Sequence, residues 1–403
     1  MYDFCINGGG MVGATLALGL AQQNYQVAII EPAMPAPYRH EDGPDLRVSA
    51  ISDASVTLLK ALGAWPFITA MRVKPYTGLS VWDDPNHRTD FTAESIEVHQ
   101  LGFFVENRVL QLGCHEALAS YKNVTRITSS KISHIALPLE QERDETKKVT
   151  VTLENDDVVE ARWLIGADGA MSQVRQSAGV GTSGWQYAQQ AMGITVKMDK
   201  PVPPVTWQQF TPHGPKAFLP MFNNFGSLVW YDSPERLKQL SALNNTQLAQ
   251  QVIDNFPDEL LKSDNGFTIC GKATFPLTRA HASHYVTGRV VLIGDAAHTI
   301  NPLAGQGVNL GFRDIEALLA VTSEGLTLSS TQFYANLKTR YEAPRRRDNG
   351  LMMSAMDAFY GLFSNDIGPI KWVRNQLLSI AQHVEPAKRE VLKYAIGMRE
   401  WKF

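Results

Sequence analysis

The sequence predicts an α/β fold in two parts, a parallel-sheet domain and an antiparallel-sheet domain, followed by a helical tail. Three observations carry this. A β-α-β pattern opens the chain at residues 2–31. Short apolar strands return at residues 163–166 and 290–293. Between these two, residues 186–232 break into strand-like runs separated by turn signals. At 403 residues the chain is long enough for two cores. The expected bounds are 1–75, 101–185 and 285–345 for the first domain, 76–100 and 186–284 for the second, and 346–403 for the tail.

Phe4-Cys5-Ile6 reads as a buried strand and residues 11–23 as a helix entered from Gly8–Gly13. Val27–Ile30 is the second strand, and Pro32–Pro37 ends regular structure. Residues 53–63 and 109–121 read as helices, residues 79–91 as extended, and residues 124–135 and 149–153 as strands, with a charged hairpin tip at Glu140–Lys148. Trp163–Gly166 is a third buried strand. The antiparallel runs are 191–197, 206–210, 217–222 and 227–231, rich in aromatics. Residues 234–255, 312–322, 331–343 and about 351–395 read as helical.

Hydrophobic residues make up 44% and charged residues 19%, a balance that suits an ordered core. A net charge of −3 and a pI near 6.4 leave no basic field, so a nucleic-acid partner is not expected. Cys5, Cys114 and Cys270 are few, odd in number and far apart, which reads as packing cysteines in a reducing cytoplasm. With no CxxC or His/Cys cluster, no metal is expected. No apolar run approaches a membrane span, and no signal peptide is expected.

The chemistry gathers at two glycine-rich stretches almost three hundred residues apart. Gly8-x-Gly10-x-x-Gly13 lies between a strand and a helix. Gly8 permits the turn, Gly10 lets the backbone approach a pyrophosphate, and Gly13 lets helix and strand pack closely. Glu31 ends the second strand, where a carboxylate holds a ribose hydroxyl. The second stretch is Gly294-Asp295-Ala296-Ala297-His298, with Asn301-Pro302-Leu303-Ala304-Gly305-Gln306-Gly307-Val308-Asn309 behind it. Between them, Gly166-Ala167-Asp168-Gly169-Ala170 follows an apolar strand and precedes Ser172 and Arg175. By position alone Asp168 and Asp295 also read as helix-cap or turn acids.

Together these three motifs resemble the class A flavin-dependent aromatic monooxygenases, whose fold is that of p-hydroxybenzoate hydroxylase: a Rossmann-type FAD-binding domain with an antiparallel-sheet substrate domain. The resemblance runs from the first strand to the last helices. It implies FAD as cofactor, with NAD(P)H and dioxygen as co-substrates. It places Asp168 where FAD and the reduced nicotinamide approach, and Asp295 on the ribityl hydroxyls. Pro302, Gly305, Gln306, Gly307, Val308 and Asn309 fall along the isoalloxazine ring. Arg47 matches an arginine that contacts FAD in relatives, and Asn107 falls near a flavin-contacting position.

Within that class the stretch Ile300–Gly311 through Asp314 is similar to the ubiquinone-biosynthesis hydroxylases. Asn301, where many members carry His, is similar to the branch acting on ring carbon 6 of a demethoxy-quinol. Asn7, where an apolar residue is usual, is a further departure. The implied reaction is hydroxylation of a polyprenylated benzoquinol through a hydroperoxide at flavin C4a, with no side chain assigned as acid, base or nucleophile. Trp207, Phe210, Phe218, Pro220, Phe222 and Trp230 are the candidates for an apolar ring pocket, of which alternation lets about half face a ligand. The apolar residues of 352–372 leave two readings open: packing on the protein's own core, or contact with a membrane surface or a biosynthetic complex. Two other functions also stay open, an FAD oxidoreductase without oxygen insertion and a non-enzymatic binder of prenylated ligands.

Overall fold

The computed structural model describes residues 1–138, 148–261, 266–300, 307–325 and 329–363. Residues 140–147 of the predicted hairpin tip, residues 301–306 and the tail beyond 363 lie outside the described residues.

The opening unit is β1 (Tyr2–Asn7), α1 (Met11–Gln22) and β2 (Val27–Ile30). Every residue of α1 from Gly13 to Ala21 is buried, so the helix is apolar all round. Next come β3 (Val48–Ser52), α2 (Asp53–Ala61), α3 (Trp65–Met71), β4 (Lys74–Tyr76), β5 (Gly78–Trp82), β6 (Thr89–Thr92) and β7 (Gly102–Glu106). The chain continues through α4 (Asn107–Leu118), β8 (Val124–Ile127), β9 (Ile132–Ala136), β10 (Val149–Leu153), β11 (Val158–Gly166) and α5 (Gln173–Ser177).

The second half begins with β12 (Thr182–Met198), β13 (Val205–Gln209), β14 (Lys216–Pro220) and β15 (Phe225–Asp232). Two helices follow, α6 (Pro234–Ala242) and α7 (Asn245–Asn255). They divide the predicted 234–255 helix because Asn244 starts α7 afresh with a capping box to Gln247. Then come β16 (Phe267–Ala282), β17 (Val286–Thr287), β18 (Val290–Leu292) and β19 (His298–Thr299). The chain ends in α8 (Gly307–Thr322), α9 (Ser330–Asn336), a π-helical stretch Leu337–Glu342, and α10 (Ala343–Phe363).

Among the described residues, one sheet runs β17-β18-β11-β1-β2-β8, with β10 and β9 added beside β11. Its central pairs are parallel, and Asn7, Gly166 and Leu292 stand side by side at their carboxyl ends. Ligands of open parallel sheets bind at those ends. A second sheet runs β19-β16-β12-β15-β14-β13-β5-β6, and a third β3-β7-β4.

The second sheet has two unlike faces. Met192, Ile194, Trp207, Phe218, Leu228 and Trp230 pack with Leu237 and Leu240 of α6 and Leu248 and Val252 of α7. The other face turns to the first domain: a Cβ added at Gly193 or Gly271 would stand 3.6 Å from the Leu46 carbonyl oxygen or 3.5 Å from Leu46 Cδ2. Alternation puts Gly193, Thr195, Ala217, Ser227, Val229 and Ala273 on this second face.

Cys5 and Cys114 are buried, as a packing role requires, whereas Cys270 is exposed. No single helix among the described residues is long and apolar enough to cross a membrane.

Candidate active site

The three motifs converge at the ends of β1, β11 and β18. Gly8 has φ +102°, and a Cβ there would lie 2.3 Å from the Ala167 carbonyl oxygen. A Cβ on Gly13 would lie 1.8 Å from the Gly8 carbonyl oxygen, so α1 rests directly on the turn. Gly10, at the N-cap of α1, has nothing among the described residues within 4 Å of an added Cβ. The N-terminus of α1 therefore opens onto free space beside a closely packed turn. Gly9 differs: its Cβ would stand 2.6 Å from Glu31 Cβ. Glu31 follows β2, and its Oε1 accepts from the Ala33 amide at 3.0 Å.

Sequence reasoning missed what holds this turn from below. Gln111 and His115, one turn apart on α4, both donate to the Gly9 carbonyl, at 3.0 and 2.7 Å. Burial pushes the His115 pKa down, so the ring is neutral with its proton on Nε2. The i, i+4 spacing was the available signal.

Asp168 caps α5. Its Oδ2 accepts from the Gln173 amide at 2.7 Å, the Val174 amide at 3.2 Å and Asn7 Nδ2 at 2.9 Å. Ser172 Oγ donates to Oδ1 at 2.5 Å. Asn7, the unusual residue before the glycines, thus ties the end of β1 to this motif. Arg175 joins the motif to the third, donating to the carbonyls of Ala170 at 2.7 Å and Ala296 at 2.9 Å.

Gly294 has φ +57° and lies under Val12 of α1, as does Gly311 of α8. Next to it Asp295 is exposed, yet the surrounding protein pushes its carboxyl above the usual carboxylate range, with His298 and Arg47 opposing. A carboxylate open at its tip and walled by protein stands in a cleft. Arg47, exposed, stacks on Phe275 of β16 at 5.1 Å. Asn107 holds that segment: its amide donates to the Arg47 carbonyl at 3.1 Å, and its Oδ1 accepts from Ser49 Oγ at 2.7 Å.

Behind Asp295 lies a buried polar network with no sequence spacing to announce it. Asp314 accepts from the Gly294 amide at 3.0 Å, His298 Nε2 at 2.5 Å and Arg345 Nε at 2.8 Å. Burial alone would raise the Asp314 pKa; His298 and Arg345 outweigh it and hold the group at about 2.

Gly307 and Val308 begin α8, and among the described residues nothing lies within 4 Å of a Cβ added at Gly307. The Asn309 side chain is committed to β3 and α2, donating to the Ala50 carbonyl at 2.8 Å and accepting from the Ser52 amide at 3.0 Å and Ser55 Oγ at 2.8 Å. Pro302, Gly305 and Gln306 lie outside the described residues.

The six pocket candidates fall in separate places. Trp207, Phe218 and Trp230 fill the core under α6 and α7, and Pro220 shares the face of Phe218. Phe210 packs on Val81 and Leu362 of α10. Phe222 covers the Arg72 guanidinium at 4.1 Å. Arg72 in turn grips Glu106 with Nε and Nη2, at 2.6 and 2.7 Å. Trp207, Phe218 and Trp230 lie on the side where α6 and α7 pack, whereas Gly193, Thr195, Ala217, Ser227 and Ala273 share the other side with Leu219, Tyr231 and Phe275.

The parallel-sheet cleft, glycine turn, outward Asp295 and facing antiparallel sheet define a two-domain dinucleotide-binding oxidoreductase class. The chain belongs to the FAD binding domain family, whose pattern matches residues 1–328, and is a class A flavin monooxygenase. It is 46% identical over 398 residues to the 3-demethoxyubiquinol 3-hydroxylase of Escherichia coli, covering 98% of each chain. It is 33% identical over 401 residues to a ubiquinone hydroxylase of Rhodospirillum rubrum, covering 98% of this chain and 89% of the relative. The p-nitrophenol 4-monooxygenase of Pseudomonas putida shares the fold, with a TM-score of 0.79 at 17% identity over 100% of this chain and 99% of its own. The predicted p-hydroxybenzoate-hydroxylase-like architecture is thereby established.

Proposed function

We propose that the protein hydroxylates the ring of a prenylated benzoquinol in ubiquinone biosynthesis, with FAD as cofactor and a reduced nicotinamide and dioxygen as co-substrates. The observation that carries this reading is the near full-length likeness to the two ubiquinone hydroxylases, joined to a cleft whose parts suit a flavin and a planar ring. FAD fits the residues present. The open space at Gly10 receives the pyrophosphate at the N-terminus of α1. Glu31 takes a ribose hydroxyl, and Asp295 accepts from the ribityl chain. Arg47 and Asn107 line the same cleft, and Asp168 fixes the turn beside the cofactor.

Bound FAD supplies the electron transfer from nicotinamide and the activation of dioxygen. The protein supplies position and exclusion. Amides at the start of α8, from Gly307 through Asn309, stabilise negative charge that develops on the ring system. Gly193, Thr195, Ser227 and Ala273 on the second face of the antiparallel sheet leave a slot for the quinol ring, and the larger residues around them keep water from it. A prenylated substrate dissolves in lipid, so this reading places the enzyme on the cytoplasmic side of a membrane surface.

Asp295→Ala is expected to weaken FAD binding by ~1.5–3 kcal/mol, because the ribityl hydroxyls lose a charged acceptor. Titration of the apoprotein with FAD, followed by flavin fluorescence, measures it; an unchanged affinity removes Asp295 from the site.

The function itself is tested with labelled dioxygen and quinols of increasing tail length. The expected product carries one labelled oxygen. Each buried tail methylene adds up to ~0.8 kcal/mol of binding, so long-tailed quinols bind best. Turnover of nicotinamide with no label in the product would indicate an oxidoreductase without oxygen insertion. No preference for a tail would point to a small free phenol.

A further inference from the structure

Helix α10 crosses from one sheet to the other. Its first turns belong to the FAD-binding side, where Arg345 grips Asp314 of α8 and Met352 and Met353 pack on Ile300 and Leu310. Its last turns belong to the antiparallel sheet. There Met356 and Tyr360 pack with Tyr187, Ala191, Tyr231 and Leu277, and Leu362 packs with Phe210 and Val81. Met356 touches both groups. The strand residues it meets lie close to the cleft: Ala191 pairs across the sheet with Phe275, the ring beneath Arg47.

Apolar contacts made by methionines tolerate sliding, because the side chain is flexible and its packing adaptable. One polar group on this part of α10 fixes the register. Asp357 pairs with Arg279 of β16, Nε to Oδ2 2.8 Å, and accepts from the Tyr187 hydroxyl of β12. A single carboxylate thus bridges two neighbouring strands. Its partners are held in turn. Arg279 stacks on Trp185 at 4.4 Å, and the Tyr187 ring lies 4.9 Å from that of Tyr360. The side chains of Arg279 and Asp357 are 15% and 21% exposed, so water screens the pair only partly.

We propose that Asp357 is a positioning residue for the hydroxylation: it pins α10 as the side wall of the ring chamber between flavin and sheet. This rests on the reading above that a quinol ring occupies that chamber. With the pin in place the wall excludes water and keeps the ring over the reacting position. Without it the wall moves off the sheet. The hydride from the nicotinamide, two electrons and one proton, then reduces dioxygen to hydrogen peroxide with one further proton from solvent, instead of placing oxygen on the ring.

The test uses the FAD-loaded full chain. Asp357→Asn keeps the shape and removes the charge. It is expected to raise KM for a long-tailed quinol about tenfold, the weight of one charge-assisted tie. Peroxide released per nicotinamide oxidised rises, FAD content is unchanged, and hydrogen exchange of residues 351–363 speeds up. Asp357→Glu restores part of the coupling, and Tyr187→Phe gives a smaller change in the same direction. Unchanged KM, peroxide yield and exchange in Asp357→Asn would overturn the proposal. So would a fall in melting temperature with unaltered coupling. If Asp357→Asn does not fold, Tyr187→Phe decides by the same readouts. Should the wild-type product lack label, the function reading fails, while the exchange of residues 351–363 still tests the pin.

Discussion

Replacing Arg345 by methionine is expected to lower stability by about 3–5 kcal/mol, since one partner of a buried ion pair is lost and the other stays behind. Asp314 is fully buried and Arg345 is 5% exposed. Arg345 gives Nε to Asp314 at 2.8 Å, Nη2 to Asn349 Oδ1 at 2.8 Å and Nη1 to Asp348 at 2.9 Å. Methionine fills much of the volume but offers no donor, so the Asp314 carboxylate keeps only His298 Nε2–H, the Gly294 amide and a long contact to Asn349. Urea unfolding of the apoprotein measures the loss, with Asp348→Asn as control. The Asp348 side chain is 38% exposed, so its removal is expected to cost under ~1 kcal/mol. A loss below ~1 kcal/mol in Arg345→Met would show that the pair does not hold the domain together.

The same network predicts a pH dependence of definite sign. The folded Asp314 carboxyl is held at about 2, below its ordinary value. A depressed folded pKa contributes stability that is present above the unfolded pKa, near 4, and lost as pH falls through about 2. In Arg345→Met that loss begins at higher pH, because the folded pKa moves up. The consequence reaches the cofactor site. Asp314 also accepts from the Gly294 amide, so its protonation loosens the residue that places Asp295.

What the sequence made legible follows the range of the forces involved. The β1-α1-β2 unit was legible because its glycine spacing and strand lengths are local, and both strands appear where expected. Strand β16 was not. It contains Gly271, Lys272, Pro276 and Arg279, a poor strand by propensity, and its sixteen residues are held extended by pairing with β12. The aromatics marked an antiparallel sheet, but not which face they occupy. That depended on α6 and α7 packing on one side, a contact between segments far apart in sequence. The tail residues Met352, Met353, Met356, Tyr360 and Leu362 pack on the protein's own core, the first of the two readings open to them. The cofactor motifs were legible as residue types, whereas their supports were not. Arg72 with Glu106, and Asp314 with Arg345, are single residues that only the fold brings together. Asn309 sits in the expected motif, but its side chain fastens α8 to β3, a use that spacing alone does not distinguish from ligand contact.

The glycine turn separates folding from cofactor binding residue by residue. Gly13→Ala is expected to destabilise the fold by more than ~4 kcal/mol, in the exceptional range for a point change. Its Cβ would lie 1.8 Å from the Gly8 carbonyl oxygen, a backbone atom that cannot swing away. Gly10→Val behaves oppositely. Gly10 has φ −66° and ψ −171°, extended backbone open to any residue, and an added Cβ meets nothing within 4 Å. The apoprotein therefore folds with an unchanged melting temperature. FAD affinity nevertheless falls by at least roughly 100-fold, because the isopropyl group occupies the space the pyrophosphate needs. Gly9→Ala would serve as a mild control on sequence grounds, but its Cβ would stand 2.6 Å from Glu31 Cβ, so a loss of affinity there reports a displaced Glu31. Gly181→Ala is the better control, with nothing within 4 Å and ordinary φ. Calorimetric melting and FAD titration of the four apoproteins give the answer. Normal FAD binding by Gly10→Val would place the pyrophosphate elsewhere, and with it the flavin ring that the cleft is read to hold.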